Sequence, residues 1–291
     1  MENIKKRRLE SAERPKEKKR RLSLIQPSDI RLGPLIGEGA FGQAFMCQVQ
    51  DEDGNWNKGV LKKLKSKDKM RRRNFKKEIQ RLQEVQEING VPRLFGVMET
   101  PQESALAMSF NGHYTLKDYT RKYAEDWTKI FSVFSEVARI LEDIHKLGLG
   151  HNDLHSGNVI IDEEEKESPS VTIIDYGFCS PFGSVLYAKP LKKFYDFHYD
   201  PQISRDGKTT SAESDIYSFG RLLARVPGSY GFMELKRMIK LALSPIVAKR
   251  STLADFRAEL SRLKKEAREE QDLTDMVDEL LEAFQQTTST N

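Results

Sequence analysis

Two apolar rhythms run along this chain. Ile130, Phe131, Phe134, Val137, Ala138, Leu141 and Ile144 recur at the spacing that lines one face of a helix, whereas Val171-Thr172-Ile173-Ile174 is a short β-branched run suited to a strand. A first strand is predicted to end at Leu35-Ile36, and further apolar strands cover Gly59-Val60-Leu61-Lys62 and Ala105-Leu106-Ala107-Met108. Phe75 to Leu82 reads as a helix, and Leu235, Met238, Ile239 and Ala242 mark another. Leu273, Met276, Val277, Leu280, Leu281 and Phe284 repeat the helical spacing in a stretch from Glu266 that holds eight acids and one arginine. That predicts one more amphipathic helix, packed on the body of the protein, with contact to a basic segment of the same chain as the sharper alternative.

The chemistry-bearing residues crowd between the helical stretch and the β-branched run. His151-Asn152-Asp153-Leu154-His155-Ser156-Gly157-Asn158 is followed, 17 residues after its asparagine, by Asp175-Tyr176-Gly177. One carboxylate there could orient a substrate hydroxyl, while an amide and a second carboxylate could hold magnesium. This is the chemistry of phosphoryl transfer, in which catalysis is mainly positioning and charge neutralisation. Upstream, Gly37-Glu38-Gly39-Ala40-Phe41-Gly42 supplies three glycines whose missing Cβ atoms let backbone N–H groups approach phosphates. Lys62 on its strand could pair with Glu78 on its helix and hold two phosphates.

With Ser214-Asp215-Ile216-Tyr217-Ser218-Phe219-Gly220 added, these motifs stand in an order that resembles a eukaryotic-type protein kinase over about residues 29–265. The resemblance implies an α+β, bilobal fold. A small antiparallel β-sheet lobe with one long helix would occupy residues 29–110, and a larger, mainly helical lobe residues 111–265. Residues 1–28 would be a disordered basic arm and 266–291 an acidic helix or tail.

The resemblance also implies roles. Asp153 would accept or orient the proton of the attacking hydroxyl, Asn158 and Asp175 would hold Mg2+, and Lys62, fixed by Glu78, would place the α- and β-phosphates of ATP. Gly37, Gly39 and Gly42 would cover the phosphates, Ala44 and Val60 would roof the adenine, Met108 would stand at the back of the pocket, and Ser109, Phe110 and Asn111 would open the hinge that runs to Gly112. Asp215 would anchor the catalytic loop from a buried helix. Leu82, Leu94, His151 and Tyr176 would form an internal stack, and the tyrosine hydroxyl, buried, implies a polar contact near the metal site.

Several positions depart from the family's pattern. The arginine usual before the catalytic aspartate is Asn152, which removes the cation that would receive a phosphorylated activation segment. The lysine usual two residues after it is His155, mostly neutral near pH 7 if unperturbed, so its help to the transferring phosphoryl group is expected to be weaker and pH-dependent. Ala44 and Val60 exchange a small and a larger side chain across the adenine pocket, which conserves volume. Gln202 stands where a glutamate usually pairs with an arginine, here Arg250, so a looser end of that segment is expected. Only Pro227 to Gly231 separates two helical patterns where kinases usually insert a docking helix. A protein kinase of the serine/threonine class is the leading expectation; a nucleotide-binding pseudokinase or scaffold and a small-molecule phosphotransferase, the latter suggested by His155, are the alternatives.

Charge changes the picture at the ends. The 291 residues carry a formal net charge of +4, but residues 1–28 hold ten Lys and Arg against four acids. Lys5-Lys6-Arg7-Arg8 and Lys18-Lys19-Arg20-Arg21 resemble a bipartite signal for a nuclear import receptor, which predicts a nuclear or nucleocytoplasmic address; the alternative is a solvated basic tail. Ser23 follows the second cluster as a candidate phosphorylation site. Lys62 to Lys77 contains ten Lys and Arg and one acid, an exposed basic face able to meet an acidic partner or a phosphate. Two cysteines, Cys47 and Cys179, with neither a leader nor a long apolar span, fit a reduced intracellular protein that does not enter a membrane. Buried inert thiols are the expectation for both. Nothing in the pattern indicates sequence-specific nucleic-acid binding.

Overall fold

The computed structural model describes residues 22–39, 42–65, 69–100, 103–163, 169–186, 199–204 and 206–288. Both basic clusters of the arm, the tip of the glycine loop at Ala40 and Phe41, part of the basic run at 66–68, and the side chains of Leu280 and Phe284 lie outside the described set.

Alternating and β-branched stretches in the first third form five strands: Ile30–Glu38 (β1), Gly42–Gln50 (β2), Trp56–Leu64 (β3), Leu94–Glu99 (β4) and Ser104–Ser109 (β5). They pair antiparallel in the order β1-β2-β3-β5-β4. One long helix, Lys69–Glu84 (α1), enters between β3 and β4. Ala44 stands opposite Lys62 and Lys62 opposite Leu106, while Val60 lies between Met46 and Met108. Opposed residues project to the same side and so do residues two apart, which puts Ala44, Val60, Lys62 and Met108 on one face. On the other face Cys47, Val49, Leu61, Met98, Ala105 and Ala107 close a small core with Ile25. The β4 edge is covered by the segment entering the domain: Ile25 N donates to Val97 O at 2.9 Å and Val97 N to Ser23 O at 3.0 Å. A Cβ on Gly96 would stand 2.4 Å from Ser23 O, so this approach needs glycine.

Helices build the rest: Leu116–Lys122 (α2), Trp127–Lys146 (α3), Pro201–Ser204 (α4), Ala212–Ala224 (α5), Met233–Ala242 (α6) and Leu253–Thr288 (α7). Short strands Tyr114–Thr115 (β6), Leu149–Gly150 (β7), Val159–Asp162 (β8), Ser170–Ile173 (β9) and Ser180–Pro181 (β10) frame the catalytic loop, paired as β6-β8-β9 and β10-β7. The Asp126 carboxylate caps α3 by accepting from Lys129 N at 3.0 Å, and α3 buries its predicted apolar face completely. One continuous core joins α3 and α5 to Phe75, Ile79 and Leu82 of α1 and Leu106 of β5. Each such side chain, fully buried, contributes on the order of 2 kcal/mol, offset largely by chain entropy. The sheet, its helix and the helical body are therefore packed as one unit.

Two expectations about the helical region resolve differently. The reversal between α5 and α6 is a single 3-10 turn, Ser229–Gly231, as the short spacing implied. The acidic stripe near the carboxyl end, by contrast, is not a separate helix and does not pack on the body. α7 passes unbroken through residue 266; Leu253, Phe256, Leu260 and Leu263 are buried and Ala267 touches the core, but Leu273, Met276, Val277 and Leu281 are 60%, 51%, 49% and 54% exposed. The reason is length. At 1.5 Å per residue α7 extends about 54 Å, whereas the 20-residue α3 against which it lies extends about 30 Å, so the helix overhangs its support.

Candidate active site

Three chain segments far apart in sequence meet at Lys62. β3 carries the lysine, α1 the glutamate, and the turn after β9 the aspartate. Lys62 Nζ lies 2.5 Å from Glu78 Oε1 and 3.2 Å from Asp175 Oδ1. Burial works to lower the Lys62 ammonium, but Glu78 and Asp175 outweigh it and leave the group above its ordinary value and charged. Burial likewise acts to raise Asp175, yet Lys62 and the Gly177 N–H hold its carboxyl below the usual carboxylate range, so it is ionised. For Glu78 burial dominates and raises the carboxyl, with Lys62 opposing.

The catalytic loop hangs from one buried carboxylate. Asp215, fully buried in α5, accepts from His151 N and Asn152 N at 2.8 Å each and from His145 Nε2 at 2.9 Å. Burial would raise it, but these donors hold it below its ordinary value. The His151 ring is fixed as well: Asp153 N donates to Nδ1 at 3.3 Å, so Nε2 carries the proton given to Ile174 O at 3.1 Å. Asn152 and Asp175 take φ values of 63° and 65°, a region sparsely used by residues other than glycine. Backbone strain of this kind collects at functional sites, held there by surrounding packing.

Asn158 donates through Nδ2 to Asp153 O at 2.9 Å and to Asp153 Oδ2 at 3.3 Å, so its amide oxygen is the atom left to face a cation. His155 Nδ1 accepts from Gly157 N at 3.1 Å. This makes Nε2 the protonated nitrogen of the neutral tautomer. A Cβ on Gly157 would sit 3.1 Å from His155 Cε1, so glycine admits the ring. In the glycine loop, Gly39 N donates to Gly42 O at 2.9 Å, and a Cβ on Gly42 would collide with Lys63 O at 2.5 Å, whereas one on Gly39 would meet nothing within 4 Å. Gly37 pairs with Ala44 in the strand ladder. At the hinge, Ser109 N donates to Arg93 O at 2.8 Å, Ser109 Oγ to Asn111 Oδ1 at 2.8 Å, and Lys58 Nζ lies 4.1 Å from the centre of the Phe110 ring.

Among the described residues no cluster of three or more His, Cys, Asp and Glu side chains could hold a metal by itself. A site of one carboxylate, Asp175, and one amide, Asn158, matches Mg2+, which keeps water and substrate phosphate oxygens among its ligands. The charged lysine beside it and the glycine loop, open at Gly39, fit a nucleotide's phosphates.

The far side of the catalytic loop departs from expectation. Arg250 does find a carboxylate, but it is Asp200: Nη1 and Nη2 reach Oδ2 and Oδ1 at 2.5 and 3.1 Å, with the two side chains 1% and 3% exposed. Arg250 also donates to Glu213 O at 2.7 Å and Ser244 O at 3.1 Å. Because α4 starts at Pro201, Gln202 turns instead to Pro245 O and to Lys208. The looser end expected from Gln202 is thus corrected: the ion pair survives two residues upstream, bidentate and buried. Asn152, in place of an arginine, ties the loop directly to the segment after Asp175, donating to Gly150 O at 2.7 Å, Ser180 Oγ at 3.1 Å and Phe178 O at 3.3 Å. Tyr199 completes this side, its hydroxyl donating to Asp153 Oδ1 at 2.8 Å.

The internal stack assembles, with His151 and Tyr176 edge to face at 5.2 Å and Leu82 and Leu94 in the same core. The polar contact expected for Tyr176 is absent among the described residues: its hydroxyl is buried without a hydrogen-bond partner there, and burial pushes the phenol well up. The pocket that encloses it is built from apolar groups, so the ring is placed for packing alone. Both thiols are buried and pushed up by burial, Cys47 to about 11 and Cys179 to about 12, which makes them poor nucleophiles. Sequence reading missed Gly157, Asp200 and Tyr199. The Gly157 spacing from His155 could have pointed to the first; nothing local could have found the other two.

The chain matches the protein kinase domain family over residues 30–289. It is similar to a cysteine-rich receptor-like protein kinase of Arabidopsis thaliana, 27% identical over 201 residues that cover 66% of this chain and 29% of that protein. Two G-type lectin S-receptor-like serine/threonine-protein kinases of the same plant are each 28% identical, over 211 and 208 residues, covering 69% and 68% of this chain and 25% of each relative. The chain thus spans between a quarter and a third of the length of these curated relatives.

Proposed function

Because this chain belongs to the protein kinase domain family, we propose that it transfers the γ-phosphoryl group of ATP, with Mg2+, to a protein hydroxyl of the serine/threonine class. The observation that carries the reading is Lys62 bridging Glu78 and Asp175 at 2.5 and 3.2 Å, because it draws the phosphate-binding cation and the metal-binding carboxylate into one cleft. The serine/threonine part is supported by the names of two relatives.

In this reading Lys62 holds the α- and β-phosphates, and the rigid Glu78 contact fixes its direction. Asn158 and Asp175 are the ligands for magnesium, which when bound neutralises charge on the transferring group. Asp153 takes the acceptor's proton, and His155, whose Nδ1 accepts from Gly157 N, directs Nε2–H to a phosphoryl oxygen. Met108, Val60 and Ala44 share the face on which adenine would lie. The basic clusters of residues 1–28 support delivery by a nuclear import receptor. The test is transfer of labelled phosphate from ATP to casein, with and without magnesium, beside an Asp153→Asn control. Label that needs both magnesium and Asp153 upholds the reading; magnesium-dependent ATP binding without transfer would turn it into a scaffold.

A further inference from the structure

The residue that would receive an acceptor's proton already holds a hydroxyl of this chain. Tyr199 donates to Asp153 Oδ1 at 2.8 Å, and Asn158 brackets the other carboxylate oxygen at 3.3 Å. The neighbour of Tyr199, Asp200, is clamped in the buried bidentate pair with Arg250, which anchors the backbone one residue away. The Tyr199 ring also lies 6.4 Å from that of Phe178, three residues past the metal-binding carboxylate. A phenol fixed on the general base, beside the amide and carboxylate that face the transferring phosphate, occupies the place of an acceptor.

We propose that Tyr199 is a phosphoryl acceptor of its own active site, a modification site filled in cis. The assignment rests on the protein kinase reading. The Tyr199 oxygen forms a bond to the γ-phosphorus of ATP as the bond from that phosphorus to the β,γ-bridging oxygen breaks. ADP leaves with the electron pair of the broken bond, and the phenolic proton passes to Asp153 Oδ1. A tethered hydroxyl in this geometry reacts at a high effective concentration, so a phenol serves here even where the acceptors supplied by other proteins are serine or threonine.

The experiment incubates the dephosphorylated full chain with ATP and magnesium over a wide dilution series, with casein in parallel, and maps the phosphorylated residues. The expected result is phosphate on Tyr199, at a rate per molecule that does not change with chain concentration, and its loss in Tyr199→Phe. Label on casein with none on Tyr199 overturns the assignment and leaves the kinase reading intact, whereas no label on either removes both. A Tyr199 rate proportional to chain concentration overturns the cis route. A nucleotide-free readout tests the contact itself: with carbon-13 at tyrosine Cζ, the resonance that disappears in Tyr199→Phe is expected to shift in Asp153→Asn. If it stays unmoved, the hydroxyl does not rest on Asp153 and the proposal falls.

Discussion

The two sides of the catalytic loop solve opposite electrostatic problems. On the Lys62 side, Lys62, Glu78 and Asp175 form an open triad in which one cation serves two carboxylates, and Asp175 is a third exposed at its side chain. On the Arg250 side, Arg250 and Asp200 form a closed pair with nearly no exposure, and two further guanidinium donors go to the Ser244 and Glu213 carbonyls. The open cluster has unspent valence for a ligand. The closed one is buried away from any ligand, and anchors the end of the segment next to Tyr199.

Breaking each side is expected to read out differently. The largest effect belongs to Asp153 between them: Asp153→Asn lowers kcat for phosphate transfer by about 10²–10⁴-fold with little change in unfolding midpoint. Asp200→Ala comes next and acts on stability, because it strands a buried cation. A loss of about 3–5 kcal/mol is expected by chemical denaturation, against at most about 1 kcal/mol for Gln202→Ala. Equal effects at the two positions would refute the reassignment of the ion pair. Asn152→Ala removes the amide that joins the loop to Gly150, Phe178 and Ser180 and leaves a positive φ without its favoured residue, for an expected loss of about 1–3 kcal/mol.

Smaller effects sharpen the contrast. Asp175 and Asp215 are both held below their ordinary values, so their contribution to stability is complete above the unfolded-state value of about 3.9 and is lost as pH falls through the lower folded values. Urea titrations are thus expected to be flat in these groups down to about pH 4 and to fall below it, with a shallower acid limb in Asp215→Asn. Tyr176→Phe is the smallest change and has the opposite sign. Removing a buried hydroxyl that has no partner is expected to leave stability unchanged or raise it by up to about 1 kcal/mol.

Much of this was legible before any coordinates. Periodicity located α3, α6, β5 and β9, because each buries one face or both against a single core and the apolar spacing must follow. Motif order pointed to Lys62, Glu78 and Asp175, which meet in the structure, and to Asp153 and Asn158, which are hydrogen-bonded to each other. The misreadings share a cause. The stripe after Glu266 has the right spacing for burial, but spacing says nothing of whether a surface lies opposite it, and α7 outruns α3.

The sequence by itself therefore determined α3, α6, β5 and β9, the family, and the residues that meet at Lys62, all of which rest on local spacing and on motifs that keep their register. Only the tertiary structure decided the contacts of Arg250 and Tyr199. Whether Arg250 meets Asp200 or Gln202 depends on where a four-residue helix begins, and whether Tyr199 touches Asp153 depends on a contact 46 residues apart in the chain. Such long-range pairings depend on the folded path of the backbone, which no local pattern of polar and apolar residues encodes.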